Sequence, residues 1–155
     1  MELDVIAELE KLINDVGHLN CKLILLVSSG GCSKTQTIRA LGDRLGMRPV
    51  ILGAELGRIL ASTPQSKRSL AAGELVRDIA GRAIEGGALL LDNIELLFEP
   101  SLHLNPLDLL KRLADSRTVL AVWPGQLRSD RLTYAEIGHP EYRDFSREGV
   151  VVFEI

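Results

Sequence analysis

Cysteine is scarce in this chain: only Cys21 and Cys32 occur, with no CxxC pair. A disulfide framework is thereby excluded, and the thiols are expected to be reduced. Long hydrophobic runs are missing as well, since no apolar stretch reaches the length of a membrane span. The opening "MELDVIAELEKLIND" is acidic and helical in pattern, the opposite of a secretory leader. These features point to a cytoplasmic protein with no membrane partner. A surplus of positive charge is also lacking. The formal net charge is −3, which leaves no electrostatic footprint for avid nucleic-acid binding, although a local basic patch stays open. There is no internal repeat, no low-complexity segment and no interdomain linker.

What is present fits one soluble domain of 155 residues, with 46% apolar and 25% charged residues. A chain of this size buries roughly 70% of its unfolded surface. Apolar residues Leu3, Ile6, Leu9, Leu12 and Ile13 recur at helical spacing, predicting a helix over 2–15 that ends near Gly17. "KLILLVS" is a continuous apolar run, as in a strand buried on both faces. A helix follows in "SKTQTIRALGDRLG", with Gly46 as its C-cap. Then come a short strand "PVIL", two helical segments divided by Ser62-Thr63-Pro64, and a strand in "GGALLLD". "NPLDLLKRLAD" reads as a helix with Asn105 as N-cap and Pro106 at its first position. "TVLAVW" and the closing "GVVVFEI" are further strands; the polar stretch 126–149 between them holds at most a short strand at "RLTYAE". Strands alternating with helices predict an α/β fold, a parallel sheet of about five strands covered on both faces in three layers.

"SSGGCSKT", residues 28–35, joins the first of these strands to the second helix. Its end and its context match a phosphate-binding loop, G-x-x-x-x-G-K-[ST] between strand and helix. Backbone N–H groups of Ser29, Gly30, Gly31, Cys32 and Ser33 would cradle phosphate at the helix N-terminus. Lys34 would reach the β- and γ-phosphates, and the Thr35 hydroxyl would ligate Mg²⁺. Ser28 and Ser33 stand where such loops carry glycine. If either backbone needed φ > 0, a Cβ would cost on the order of 1–2 kcal/mol. One charge-assisted bond to phosphate returns roughly 1.5–3 kcal/mol. A weakened site is therefore expected, and Ser33→Gly should tighten binding.

"ALLLDNIELLF" supplies an acidic partner. Four apolar residues ending in Asp92 suit a strand that delivers a carboxylate to a metal-bound water. A helix, a strand and further helix fit between Lys34 and Asp92, as in additional-strand P-loop ATPases of the AAA+ and RecA-like type. Asn93 occupies the place of the usual glutamate. Glu95 is the candidate general base or water-positioning group, with an ordinary glutamate at a helix start as the alternative. Trp123, at the end of the fourth strand, is expected on the rim of the loop.

The chain resembles the BrxF family, small P-loop proteins of type 3 BREX phage-defence systems. "LILLVSSGGCSKT", "LLLDNIELLFEPSLHLNPLDLLKRLADSRTVLAVWPG" and "LTYAEIGHPEYRDF" carry the resemblance, which covers nearly the full length. It implies an ATPase-like subunit, using ATP and Mg²⁺, that acts with other BREX proteins in methylating host DNA and blocking phage. DNA contact would come through that complex. By position, Lys34 and Thr35 match the nucleotide loop and Asp92 the second motif; Ser33 departs from the usual glycine before the lysine. Tyr134, Glu136, His139 and Glu141 fit no familiar metal spacing and read as an interaction loop or a structural return.

No helical lid fits after the last strand, so a neighbour in a homo-oligomer or hetero-complex is expected to cover the nucleotide. Such a neighbour would donate an arginine, with Arg68, Arg112, Arg117, Arg128 and Arg131 as candidates. Slow hydrolysis by the isolated chain follows. The alternative is a module that binds nucleotide without hydrolysis, or serves only as an interaction surface.

Overall fold

The computed structural model describes residues 2–19, 21–28, 33–83, 88–135 and 138–155. Helix α1 (Glu2–Asp15) leads through a 3₁₀ turn to β1 (Leu23–Val27), then α2 (Lys34–Leu45) and β2 (Val50–Ile51). Helices α3 (Leu52–Ala61) and α4 (Gln65–Arg82) precede β3 (Ala88–Asp92). Two 3₁₀ turns, Glu95–Phe98 and Pro100–Leu102, lead into α5 (Pro106–Leu113) and β4 (Thr118–Val122). Three short strands follow, β5 (Gln126–Arg128), β6 (Arg131–Tyr134) and β7 (Arg143–Ser146), before β8 (Val151–Glu154).

β1 is buried on both faces because its run "LILLV" has no polar face to present. Leu23, Leu25 and Val27 enter one core, while Ile24 and Leu26 enter the other. That split follows the two-residue period of a strand. The first core receives α3, α4 and α5; the second receives α1 and α2. Each buried leucine contributes about 1.5–3 kcal/mol, so one charge placed at Leu25 would oppose the whole layer. The expected caps hold. Asn105 Oδ1 accepts from the Asp108 N–H at 3.1 Å, and Gly46 takes the left-handed conformation (φ 71°) that closes α2.

The five main strands are parallel, in the order β2-β3-β4-β1-β8. The chain leaves β1 through α2 on one face and reaches β2 at the far edge. It then returns through β3 and β4 with its connections on the other face. Neighbouring β1 and β4 therefore send their continuations in opposite directions. The crevice beyond their carboxyl ends is the topological switch point, where open α/β sheets place ligands.

The stretch 126–149 holds more order than the sequence suggests. β5, β6 and β7 form an antiparallel sheet, with Gln126 opposite Thr133 and Leu132 opposite Phe145. The β5–β6 hairpin turns on Ser129 (φ 49°) and Asp130 (φ 65°), the paired left-handed geometry of a two-residue loop. Its underside is aromatic: Phe98 stacks on Tyr134 with centroids 4.1 Å apart, and Trp123 meets Phe98 and Phe145 edge-on. Among the described residues, no helix is long and apolar enough to cross a membrane.

Candidate functional site

Six residues singled out in the sequence meet at the switch point. Ser33, Lys34 and Thr35 open α2, and Asp92 ends β3. With Asn93 and Glu95, they line one cleft of about 720 Å³. Arg39, Ile51, Val122 and Pro124 complete its wall. Ser29, Gly30, Gly31 and Cys32 lie outside the described residues.

Ser33 takes the N-cap position of α2, with φ −81° and ψ 110°. Its hydroxyl accepts from the Gln36 N–H at 3.1 Å, and its carbonyl accepts from the Thr37 hydroxyl at 3.0 Å. This is extended backbone that any L-residue adopts, so the cost foreseen for a Cβ at Ser33 does not arise. The serine satisfies a donor in the first turn and leaves the Lys34 and Thr35 amides for a ligand. That first turn carries no acidic side chain, so the positive end of the helix dipole stays uncompensated by its own residues.

Lys34 crosses the switch point. Its Nζ donates to the Trp123 main-chain carbonyl at 2.6 Å, joining the start of α2 to the end of β4. Burial pushes the ammonium below the usual lysine range, opposed by the carboxylates of Glu95 and Asp92. The ammonium thus sits in a partly dry place and faces acidic groups across the cleft.

On the acidic side, Asp92 is 7% exposed and accepts from the Asn93 N–H at 2.8 Å. Asn93 adopts φ 58°, which asparagine tolerates better than most residues. Its carbonyl accepts from the Gly53 N–H at 2.8 Å, and its Nδ2 donates to Glu95 Oε2 at 2.9 Å. A Cβ at Gly53 would lie 2.3 Å from Asn93 Oδ1, so glycine is required for α3 to approach this corner. Glu95 is exposed and begins a 3₁₀ turn, so both sequence readings of it meet in one place. The turn's last residue, Phe98, is stacked on Tyr134. Burial first, then Glu141, Glu95 and Glu99, push the Tyr134 phenol above its ordinary range.

Trp123 is not a rim residue. Its side chain is fully buried, and its indole donates to the Thr133 carbonyl at 2.9 Å. The apolar ring belongs with Phe98 and Phe145, and the polar edge finds a partner, as a buried tryptophan requires. Only its carbonyl turns towards the cleft. The five arginines proposed to act on a neighbour lie outside the cleft lining. Arg68 and Arg117 hold main-chain carbonyls, Arg112 pairs with Asp108, Arg128 with Gln126, and Arg131 with Asp144. The cleft's own guanidinium is Arg39, which the sequence reading passed over. One available signal was its place four residues after Thr35, on the same face of α2.

His139 and Tyr134 do not join the cleft lining; Glu136 lies outside the described residues. His139 is exposed, and its Nδ1 accepts from the Glu141 N–H at 3.1 Å, a local turn bond. A separate hollow of about 220 Å³ is lined by Glu99, His103, Glu141 and Arg143, among others.

Comparison of the chain with family models, with curated proteins and with solved structures finds no match.

Proposed function

We propose that this chain is a P-loop ATPase-like subunit that binds ATP with magnesium and hydrolyses it slowly. The observation that carries the reading is the convergence of Lys34, Thr35, Asp92 and Glu95 on one cleft at the switch point. An uncompensated helix start faces a carboxylate on the strand beyond β4, and a triphosphate needs both. The order β2-β3-β4-β1-β8 also suits the additional-strand P-loop architecture expected from the sequence.

Magnesium fits the donor set. The Thr35 hydroxyl and the Asp92 carboxylate are hard oxygen donors, and one carboxylate suits an ion that keeps waters and takes phosphate oxygens. When bound, the ion would neutralise charge developing on the transferred phosphoryl group. The chain's residues do the rest. Helix-start amides and Lys34 orient the phosphates, and Lys34 exchanges the Trp123 carbonyl for a phosphate oxygen. Glu95 takes a proton from water as the water oxygen bonds to the terminal phosphorus. The bond from that phosphorus to the bridging oxygen breaks, and its electron pair leaves with the diphosphate.

The resemblance to the BrxF family extends the reading. The subunit would act in the cytoplasm with other BREX proteins, as a homo-oligomer or hetero-complex, and reach DNA through that assembly. A second reading, nucleotide binding without turnover, draws on one contact: the Asn93 amide already holds Glu95.

Calorimetry with magnesium ATP, alongside phosphate release, tests the proposal on wild type, Lys34→Ala and Asp92→Ala. Loss of one charge-assisted phosphate contact should weaken binding about tenfold or more in Lys34→Ala. Equal binding and turnover in wild type and Lys34→Ala would sink the enzyme reading. Binding without any phosphate release would select the second.

A further inference from the structure

We infer that Arg39 contacts the terminal phosphate from within the same chain, so that the cleft tells a nucleoside triphosphate from a diphosphate with its own arginine. The inference rests on the nucleotide reading above and assigns the site a further residue. Arg39 lies on α2 and lines the cleft that also holds Thr35 and Asp92. Residues four apart share a helix face, and side chains lean towards the helix N-terminus. From position 39 a long side chain therefore reaches back over the turn that carries Thr35.

Charge balance points the same way. Asp92 and Glu95 face Lys34 across the cleft, so without Arg39 the lining would carry more negative than positive charge. A triphosphate brings more negative charge still, concentrated at its end. A guanidinium on the cleft wall offsets it, and its planar fork matches phosphate oxygens. Arg39 is also unengaged: it is exposed and forms no hydrogen bond or ion pair among the described residues. Arg68, Arg112, Arg117, Arg128 and Arg131, by contrast, are all tied to neighbours. Ile51 pairs in register with Asp92 at the edge of the sheet, lines the same cleft as Arg39 and is 37% exposed.

The test compares ATP and ADP affinities, each with magnesium, in wild type, Arg39→Ala, Arg39→Lys and Lys34→Ala. Arg39→Ala should lose ATP affinity by roughly ten- to a hundredfold with ADP affinity unchanged. Arg39→Lys should recover part of the loss, because a point charge replaces a fork. Melting temperatures of both Arg39 variants should match wild type, since the side chain holds nothing else in place. If Lys34→Ala loses nucleotide while Arg39→Ala keeps the wild-type preference for ATP over ADP, this inference is wrong and the nucleotide reading stands. If wild type binds neither nucleotide, or Lys34→Ala binds both as well as wild type, the nucleotide reading fails and takes this inference with it.

Discussion

Replacing Lys34 by methionine removes the ammonium while keeping an unbranched stem of similar length. Two effects compete in the unliganded fold. The Trp123 carbonyl loses a donor at 2.6 Å, a charge-assisted bond whose net contribution is about 1.5–3 kcal/mol. Against this, a partly buried charge disappears, and the downward displacement of the Lys34 pKa says that desolvation outweighs attraction to Glu95 and Asp92. The two effects should nearly cancel, leaving stability within about 1 kcal/mol of wild type, or about 2–4 °C in Tm for a chain of this size. Ligand linkage behaves differently. At a nucleotide concentration near 100 Kd, wild type should gain about 2.7 kcal/mol, a rise of about 5–10 °C. With affinity reduced ten- to a hundredfold, the same concentration should stabilise the methionine variant by about 1.4 kcal/mol or less. Thermal melts with and without magnesium ATP read both quantities. A fall of more than about 6 °C without nucleotide would mean that the ammonium is a structural strut of the β4 end. An undiminished rise with nucleotide would mean that Lys34 does not meet phosphate at all.

The same lysine sets a pH dependence. Its folded pKa lies below the ordinary 10.5, so the cost of its burial is fully present at neutral pH and fades as pH rises towards the unfolded value. The stability difference between wild type and Lys34→Met should therefore shift in favour of wild type in alkaline melts. Calorimetry should show ATP affinity falling from an earlier pH than an ordinary lysine would give, and a flat profile across that range would contradict it. Gly125→Ala should be severe, because the new Cβ would sit 1.5 Å from the Thr133 carbonyl oxygen, which is backbone; a loss of about 3 kcal/mol or more is expected in denaturant melts. Ser33→Gly should cost only a few tenths of a kcal/mol and leave ATP affinity unchanged, because Ser33 sits at φ −81°. Tighter binding on titration would show that the loop needs freedom there.

Local chemistry determined much of this protein. "LILLV", "ALLLD" and "TVLAV" have no polar face, so they had to be strands buried on both sides, and the helices between them made the sheet parallel. Asn105 and Gly46 marked helix ends because capping is a contact within one turn. Lys34, Thr35, Asp92 and Glu95 were legible as chemistry because residue type and position at an element's end are read along the chain. Strand order, by contrast, is a property of pairing between distant segments. It alone set β1 beside β4, brought Lys34 to the Trp123 carbonyl and turned the indole inward. Of the β5–β7 sheet only β6 was foreseen, as the short strand at "RLTYAE"; its partners were not, because the hairpin turns on Ser129-Asp130 and not on a glycine, and the core draws Phe98 from elsewhere in the chain. Arg39 likewise looks like any solvated helix charge until folding places it on the wall of the cleft that Asp92 also lines. What depends on the next few residues was written in the chain; what depends on partners dozens of residues away existed only once the sheet had assembled.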